Sequence, residues 1–368
     1  MQLSPSNRIR HRLTLAGYSS YAVGVRRQLQ LYRVSPLLEQ LASRSWELEP
    51  VSVSRTSKAY FLPGQMDRIL GTAYTDDPHA EVQGGQGIQH AATRALLLKN
   101  VWLIDHSFYQ GRWRLDIGPR QRLSRRQKFM PRIHVDTEVD RASIYSTFAG
   151  NEFFGMWLTD DCPSYPLALK EGMPVAIDWQ YSHQAEFESL LGMNPVRPGG
   201  AFLREAVIID DGWSFGNGKH KRFCAMRRHL LSRFGQESHP GAFILRRDTG
   251  QTRVMINELE VAEYLQKKRG FRIVDPERQS AAEILSMCAG ARVLMGVEGS
   301  QLANGMVVLD EGASMLVLQP PSRFCCALKK VTDMEGQNFA FVVGTPTANG
   351  FQVNPQEIER TLDLLPNC

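Results

Sequence analysis

No C-x-x-C spacing joins any of the six cysteines of this 368-residue sequence, Cys162, Cys224, Cys288, Cys325, Cys326 and Cys368. The usual spacing of metal and redox cysteines is therefore missing, and several of these thiols sit in apolar periodic stretches, where they act as small hydrophobes. A reduced, cytoplasmic setting is expected. No uncharged apolar run approaches the roughly 18 residues of a membrane span, and no apolar signal core follows the N-terminal charges. The chain is expected to be soluble or peripheral to a membrane. Zinc-finger spacing, an aromatic RNA-binding signature and a recognition-helix pattern are all missing, so no specific nucleic-acid partner is expected. A G-x-G-x-x-G strand-turn-helix is missing too, which argues against a Rossmann oxidoreductase.

Acidic residues are absent from residues 1 to 38, which hold six arginines: Arg8, Arg10, Arg12, Arg26, Arg27 and Arg33. Residues 112 to 132 repeat the pattern, with eight Lys or Arg against Asp116 alone. The whole chain carries only +5, so its positive charge is concentrated. Such stretches suit an anionic partner: nucleic acid, a membrane face or a lipid-linked pyrophosphate. A solvated surface is an equal alternative for either stretch taken alone.

What is present is the composition of a globular protein, 43% hydrophobic and 22% charged, with little room for global disorder. The length implies two domains of roughly 100–200 residues and a cleft between them. From about Gly241 the pattern is regular. "AFILR", "FRIV", "RVLMG", "SMLVLQP" and "FAFVVG" read as strands, and "NELEVAEYLQKK", "SAAEILSMCA" and "RFCCALKKVTDM" as the helical patterns between them. This predicts βαβ units and a parallel sheet with helices on both faces. Asn257 and Ser280 are the expected N-caps, each followed three residues later by a glutamate, Glu260 and Glu283. Between Ala142 and Arg233 the strands "ASIYSTF", "PVAIDW" and "AVIID" alternate less cleanly with the helices "EFESLLGM" and "FCAMRRHLLSRF", which suggests a second α/β domain. "VWLIDHSF" and "RWRLDIG" suggest a hairpin, and "YTDDPHAEVQGGQGIQH" a polar, glycine-rich loop. A final helix, "PQEIERTLDLL", follows Asn349 and Gly350 and is expected to cross back to the other domain.

Three stretches carry candidate chemistry. In an open parallel sheet, ligands bind outside the carboxyl ends of the strands, where helix N-termini turn free N–H groups toward an anion. "RVLMGVEGSQLANG" has that layout: Gly296 and Gly299 allow close backbone approach, and Ser300 can cap the helix or donate to a phosphate. A purely structural turn is the open alternative. In "FILRRDTGQTRVMINELE", Arg246 and Arg247 end the first strand, Arg253 follows in the loop, and Asn257 starts the helix, all at that same edge. Guanidinium forks there suit a pyrophosphate; the alternative is a surface turn with the arginines paired to Asp248 and Glu258. In "NEFFGMWLTDDCPSYP", Asp160 and Asp161 follow Phe153, Phe154, Trp157 and Leu158. Burial there can raise a carboxylate toward the range of a general base, and a helix-terminal or loop pair of aspartates is the alternative.

Together the three stretches resemble glycosyltransferase family 61. The family has a motif like N-x-x-H-W-L-x-D-x-x-P, an arginine-rich strand end followed by R-x-x-x-N-E, and a G-x-H-G-A-G-L-x-N turn. This sequence offers "NEFFGMWLTDDCP", "LRRDTGQTRVMINE" and "GVEGSQLAN" in that order, followed by "GASMLVLQP". The resemblance spans about residues 142 to 345. It implies a GT-B-like α/β fold of two Rossmann-like domains with a cleft between them. After a basic segment 1–60, an acceptor-side domain would cover 61–215 and a nucleotide-sugar domain 216–345, with the helical segment 346–368 packing back on the former. The implied activity is an inverting, metal-independent glycosyltransferase of bacterial type, acting in polysaccharide biosynthesis such as capsule assembly. Its donor would be a nucleotide sugar, expected to be UDP-linked, and its acceptor a glycan or lipid-linked glycan at the cytoplasmic face of the membrane. No further cofactor is expected, and no D-x-D motif with the context of a metal-dependent transferase is evident.

By the same resemblance, Arg246, Arg247, Arg253 and the turn with Gly296, Glu298, Gly299, Ser300 and Asn304 hold the donor diphosphate. Asn257 and Glu258 order the arginine loop, and Asp160 matches the motif's acid, with Asp161 beside it, as the catalytic base. Two positions depart from the motifs, since Met156 and Glu298 stand where the family has histidine. A carboxylate beside a diphosphate costs about 4 kcal/mol for unit charges at about 4 Å and an effective dielectric near 20. Three readings are open: Glu298 points away toward an arginine or a sugar hydroxyl, it is itself the base, or the chain is a non-catalytic nucleotide- or glycan-binding scaffold.

Overall fold

The computed structural model describes residues 20–29, 31–34, 38–119, 135, 137–211, 214–235, 237–247 and 253–366. Much of both basic stretches, and the loop 248–252 with Asp248, lies outside the described residues. The chain forms two compact units and passes between them repeatedly. Met1–Pro50, Ala92–Gln180 and Met193–Gly212 make one; Val51–Ala91, Tyr181–Gly192 and Trp213–Cys368 make the other. Among the described residues no helix is long and apolar enough to cross a membrane.

The first unit is built on an eight-stranded mixed sheet, where a Rossmann-like parallel sheet was expected. Its long strands Thr93–Ile104 and Gly200–Asp210 run antiparallel, and Thr137–Ile144 joins Gly200–Asp210 in parallel. Local turn chemistry explains the mixture. Thr93–Ile104 returns through Asp105 and His106, both at positive φ (43° and 63°), as a two-residue hairpin turn requires. The next strand, Ser107–Gln110, returns through Gly111 and Arg112 to Trp113–Asp116. Parallel strands need a crossover of about a dozen residues, so turns this short force the segment antiparallel. "VWLI" and "RWRLD" are thus the outer strands of a meander with "SFYQ" between them, not the two arms of one hairpin. Leu96, Leu98, Val101 and Leu103 pack with Ala201, Leu203, Ala206 and Ile208 in the core of this unit.

The second unit carries the regular alternation. Its strands β1 (His239–Ile244), β2 (Arg272–Val274), β3 (Ala291–Val297), β4 (Ser314–Gln319) and β5 (Asn338–Val343) lie in the order β2-β1-β3-β4-β5 and pair in parallel throughout. Every residue of β4 is buried, the signature of a strand covered on both faces. One face sets Phe243, Met295, Leu316 and Ala340 against Val261 and Leu265 of the helix Glu258–Arg269. On the other, Ile244 and Leu294 converge with Cys288, from the helix Ala281–Cys288, on Gly305. Ser280 and Glu283 form the expected capping box. Asn257 makes no side-chain capping bond; its amide instead bridges the N–H and C=O of Val353 (3.2 and 2.9 Å).

The final helix, Pro355–Leu362, belongs to this unit, and its Glu357 accepts from both Nη groups of Arg68 (2.7 and 2.6 Å) in the segment Val51–Ala91. Ile358, Leu362 and Leu365 enter the same core, and Glu359 accepts from Tyr264 Oη (2.9 Å) and Arg269 Nε (3.2 Å) on the helix Glu258–Arg269. Apolar and charged positions of the two helices match, which decides the docking. The segment Val51–Ala91 joins as well: Tyr60 pairs with Ala340 along β5. Within it, the stretch expected as a loop holds a helix, Pro78–Gln83, capped by Asp77 with proline in its first turn, and a strand, Gly87–His90, paired with Ser52–Arg55.

Candidate anion-binding site

A sheet ordered β2-β1-β3-β4-β5 reverses its winding between β1 and β3. The crossovers leave a crevice at the carboxyl ends of those two strands, where ligands of doubly wound sheets bind. Arg246 and Arg247 follow β1 at this edge, Glu298 and Gly299 follow β3, and Arg323 follows β4.

The two adjacent arginines diverge. Arg247 sits at φ 51° and sends its guanidinium to Asp275 beyond β2, with Nη2 and Nε at 2.5 and 3.1 Å from Oδ2. Burial works to raise the Asp275 carboxyl, but the hydrogen bonds and charge of Arg247 overcome it and hold the group below its ordinary value. Arg246 is 7% exposed and donates from Nη1 to Gln301 Oε1 (2.9 Å). Both backbone N–H groups go to the carboxylate of Glu258 (2.7 and 2.9 Å), so this glutamate fixes the turn and does not take up the guanidinium groups.

Glu298 is directed at Arg253. Its Oε2 lies 2.7 Å from Arg253 Nη1, with the two side chains 8% and 9% exposed, and the same Nη1 donates to the Glu298 carbonyl (3.1 Å). Burial first, and then repulsion by Arg253, push the Arg246 pKa down to about 10 against the pull of Glu298 and Glu258. Burial lowers Arg253 as well, although Glu298 opposes it. Arg323 repels both. Three guanidinium groups thus converge on the crevice with Glu298 paired to one of them. Positive charge held in such low-dielectric surroundings favours an incoming anion.

The glycines of the turn do different things. Gly296 lies inside β3, and a Cβ there would meet Ile244 O at 2.5 Å and Leu302 Cδ2 at 2.9 Å, so its close approach is to the neighbouring strand and the following turn. Gly299 adopts φ 150°, ψ 175°, a region essentially reserved for glycine. A Cβ there would run into Arg246 and lie 2.6 Å from Gln301 Oε1. Ser300 begins a short 3₁₀ turn, Ser300–Leu302, without a side-chain capping bond. Asn304 donates to Gln301 O (2.9 Å), and its buried Oδ1 has no hydrogen-bond partner among the described residues. Gly299→Ala is therefore expected to destabilise the protein by about 2–3 kcal/mol and to displace Arg246. A urea midpoint equal to that of the wild type would contradict this.

Beside Arg253 and Arg323 lies a pocket of about 560 Å³ walled by Thr72, Pro320, Ser322, Asn349 and Phe351, a size suited to a small-molecule ligand. Arg323 stands over the Tyr74 ring, 5.4 Å from its centroid. Sequence reasoning missed Arg323, Gln301 and these walls. The one usable signal was that Arg323 follows the carboxyl end of β4, at the edge where ligands are expected.

Asp160 and Asp161 lie in the first unit, in a π-helical turn, Trp157–Asp161, that leads into the helix Cys162–Glu171. Asp161 is fully buried and accepts from Thr147 N and Thr147 Oγ1, both at 3.0 Å. Gly150 abuts its carboxylate with no room for a side chain. Asp160 is 8% exposed and accepts from Thr159 Oγ1 (2.9 Å). Ser164 donates toward both the Asp160 carbonyl (3.1 Å) and the Asp211 carboxylate (3.2 Å). Single π-turns of this kind recur at functional sites.

Fold and site together define an α/β protein with a guanidinium-lined crevice at the switch point of a parallel sheet. A family model described as Glycosyltransferase 61 matches residues 120–316, more than half of the 368 residues. The chain belongs to glycosyltransferase family 61. Membership indicates glycosyltransferase activity and, in general, a nucleotide-sugar donor and a glycan acceptor. The matched region includes Asp160, Asp161, Arg246, Arg253, Glu298 and Asn304 and stops short of Arg323. No curated protein matches the chain.

Proposed function

We propose that the protein is an inverting, metal-independent glycosyltransferase that draws its sugar from a nucleoside diphosphate sugar, UDP-linked in the simplest case. The observation that carries the donor half is the buried guanidinium cluster, in which Arg246 is held at about 10 by burial and by its cationic neighbour. A departing diphosphate supplies the negative charge that the cluster lacks, and arginine forks stabilise it as it develops. Glu298 is the counter-ion that positions Arg253, so the guanidinium, and not the carboxylate, is offered to the phosphates. Asp160 is the proposed base. It takes the proton of the acceptor hydroxyl as that oxygen bonds to the anomeric carbon and the bond to the diphosphate breaks, a single displacement that inverts the centre. The arginines of residues 1–38 support an acceptor presented at an anionic, cytoplasmic membrane face in polysaccharide or glycolipid assembly.

The test combines calorimetry with nucleoside diphosphates and a turnover assay with nucleotide sugars. For Glu298→Gln, diphosphate affinity is expected to hold or rise and kcat to stay within about tenfold. A fall in kcat of about 10²-fold or more at unchanged affinity would move the base to Glu298. Wild-type protein that binds nucleotide but turns over no nucleotide sugar would leave only a binding scaffold.

A further inference from the structure

Away from the crevice, the parallel-sheet unit holds a cluster of His, Cys and Glu side chains that the transfer chemistry does not use. His220 and Cys224 lie one turn apart on one face of the helix Asn217–Leu231. Glu335, which ends the helix Ala327–Met334, comes against that face. We propose that these three residues bind a zinc-class divalent ion.

The spacing is the first argument. His220 Nδ1 lies 3.0 Å from Glu335 Oε1, and Cys224 Sγ lies 3.7 Å from His220 Nδ1 and 3.7 Å from Glu335 Oε2. Zinc bonds of about 2.0–2.1 Å to N and O and about 2.3 Å to S, at tetrahedral angles, give ligand-to-ligand edges of about 3.3–3.6 Å. The Nδ1–Oε1 and Nδ1–Sγ edges already stand close to that size, and Sγ reaches the same carboxylate through its other oxygen, with one ligand atom from each of the three side chains within 4.8 Å of the others. The donor set is the second. An imidazole, a thiolate and a carboxylate select Zn²⁺ or Co²⁺ over Mg²⁺ or Ca²⁺, which take oxygen ligands. Exposure and support are the third. The His220 side chain is 38% exposed and that of Glu335 is fully buried, so the ion enters from the His220 side and solvent fills the fourth corner. Arg227 is ion-paired with Glu335 Oε2, which leaves Oε1 toward His220; outer partners of this kind hold ligating carboxylates in place. On binding, Cys224 releases its thiol proton to solvent, and bonds form from the ion to Sγ, Nδ1 and Oε1 without any redox change. The ion would tie the helix Asn217–Leu231 to the turn that precedes β5.

The full chain, stripped with a chelator, is titrated with Zn²⁺ against a chromophoric competitor and with Co²⁺ by absorbance. The expected result is one equivalent bound, with cobalt giving tetrahedral visible bands and a thiolate charge-transfer band. Cys224→Ser and His220→Ala should each weaken binding by more than the roughly 10–100-fold that loss of an outer partner costs, and Cys224→Ser should lose the charge-transfer band. Both positions avoid the fully buried Glu335, whose replacement endangers the fold. Absence of stoichiometric binding, or undiminished affinity in either variant, overturns the site.

Discussion

Replacing Arg246 with leucine is expected to lower affinity for nucleoside diphosphates by about 10²–10³-fold while leaving the protein as stable as the wild type or more so. The loss follows from the fork that Arg246 offers at the β1/β3 crevice, because two charge-assisted hydrogen bonds together carry about 3–4 kcal/mol. The stability follows from the sign of the pKa shift. Arg246 is lowered from 12.5 to about 10, so the folded protein disfavours its charge. That cost is fully present at neutral pH, below both values, and is relieved only as pH rises past about 10. After allowance for solvent screening it is on the order of 1–3 kcal/mol, and leucine removes it while giving up side-chain contacts that include the bond to Gln301. Arg253 is the less informative target, since its removal leaves Glu298 buried without its ion pair, a loss of about 3–5 kcal/mol. Calorimetry and urea unfolding of Arg246→Leu separate the two quantities. Unchanged diphosphate affinity would remove the crevice as the donor site.

The second large effect is expected from Asp160→Asn, which should lower kcat by about 10²–10⁴-fold with nucleotide affinity unchanged. The neighbouring Asp161→Asn should behave differently. Asp161 is fully buried, and its carboxylate accepts both the N–H and the hydroxyl of Thr147. An asparagine turns an NH₂ group toward one of these donors, which costs about 1–3 kcal/mol of stability. The turn that carries Asp160 should survive in the Asp160 variant, because Ser164 holds it through the backbone carbonyl. Steady-state kinetics with paired unfolding curves distinguish these outcomes. Lost turnover in Asp161→Asn at wild-type stability, with Asp160→Asn active, would reverse the assignment.

Local rules carried the reading of the parallel sheet. Continuous apolar runs such as "SMLVLQ" became strands buried on both faces, and Ser280 with Glu283 closed their capping box, since each depends on residues within one turn of another. The meander at Thr93–Asp116 was harder to see because its first turn uses Asp105 and His106 at positive φ without a glycine. Asn257 has the residue type of a cap, yet Val353, distant in sequence, takes its amide. The "DDPHAEVQ" helix was hidden by the glycines that follow it, although Asp77 and Pro78 are a start signal.

By itself, the sequence determined that this chain contains βαβ units, that arginines end one strand and a glycine turn ends another, and that the three motif stretches of family 61 are present in order. Those properties rest on neighbours in the chain. Only the tertiary structure decided which strand ends meet: the β2-β1-β3 order sets Arg246 beside Gln301 and brings Arg253 to Glu298 across 45 residues. In charge terms, the carboxylate of Glu298 in this turn is set against Arg253. Desolvated guanidinium groups need a counter-charge, and pairing across a sheet edge is a matter of strand order, which residue periodicity does not encode.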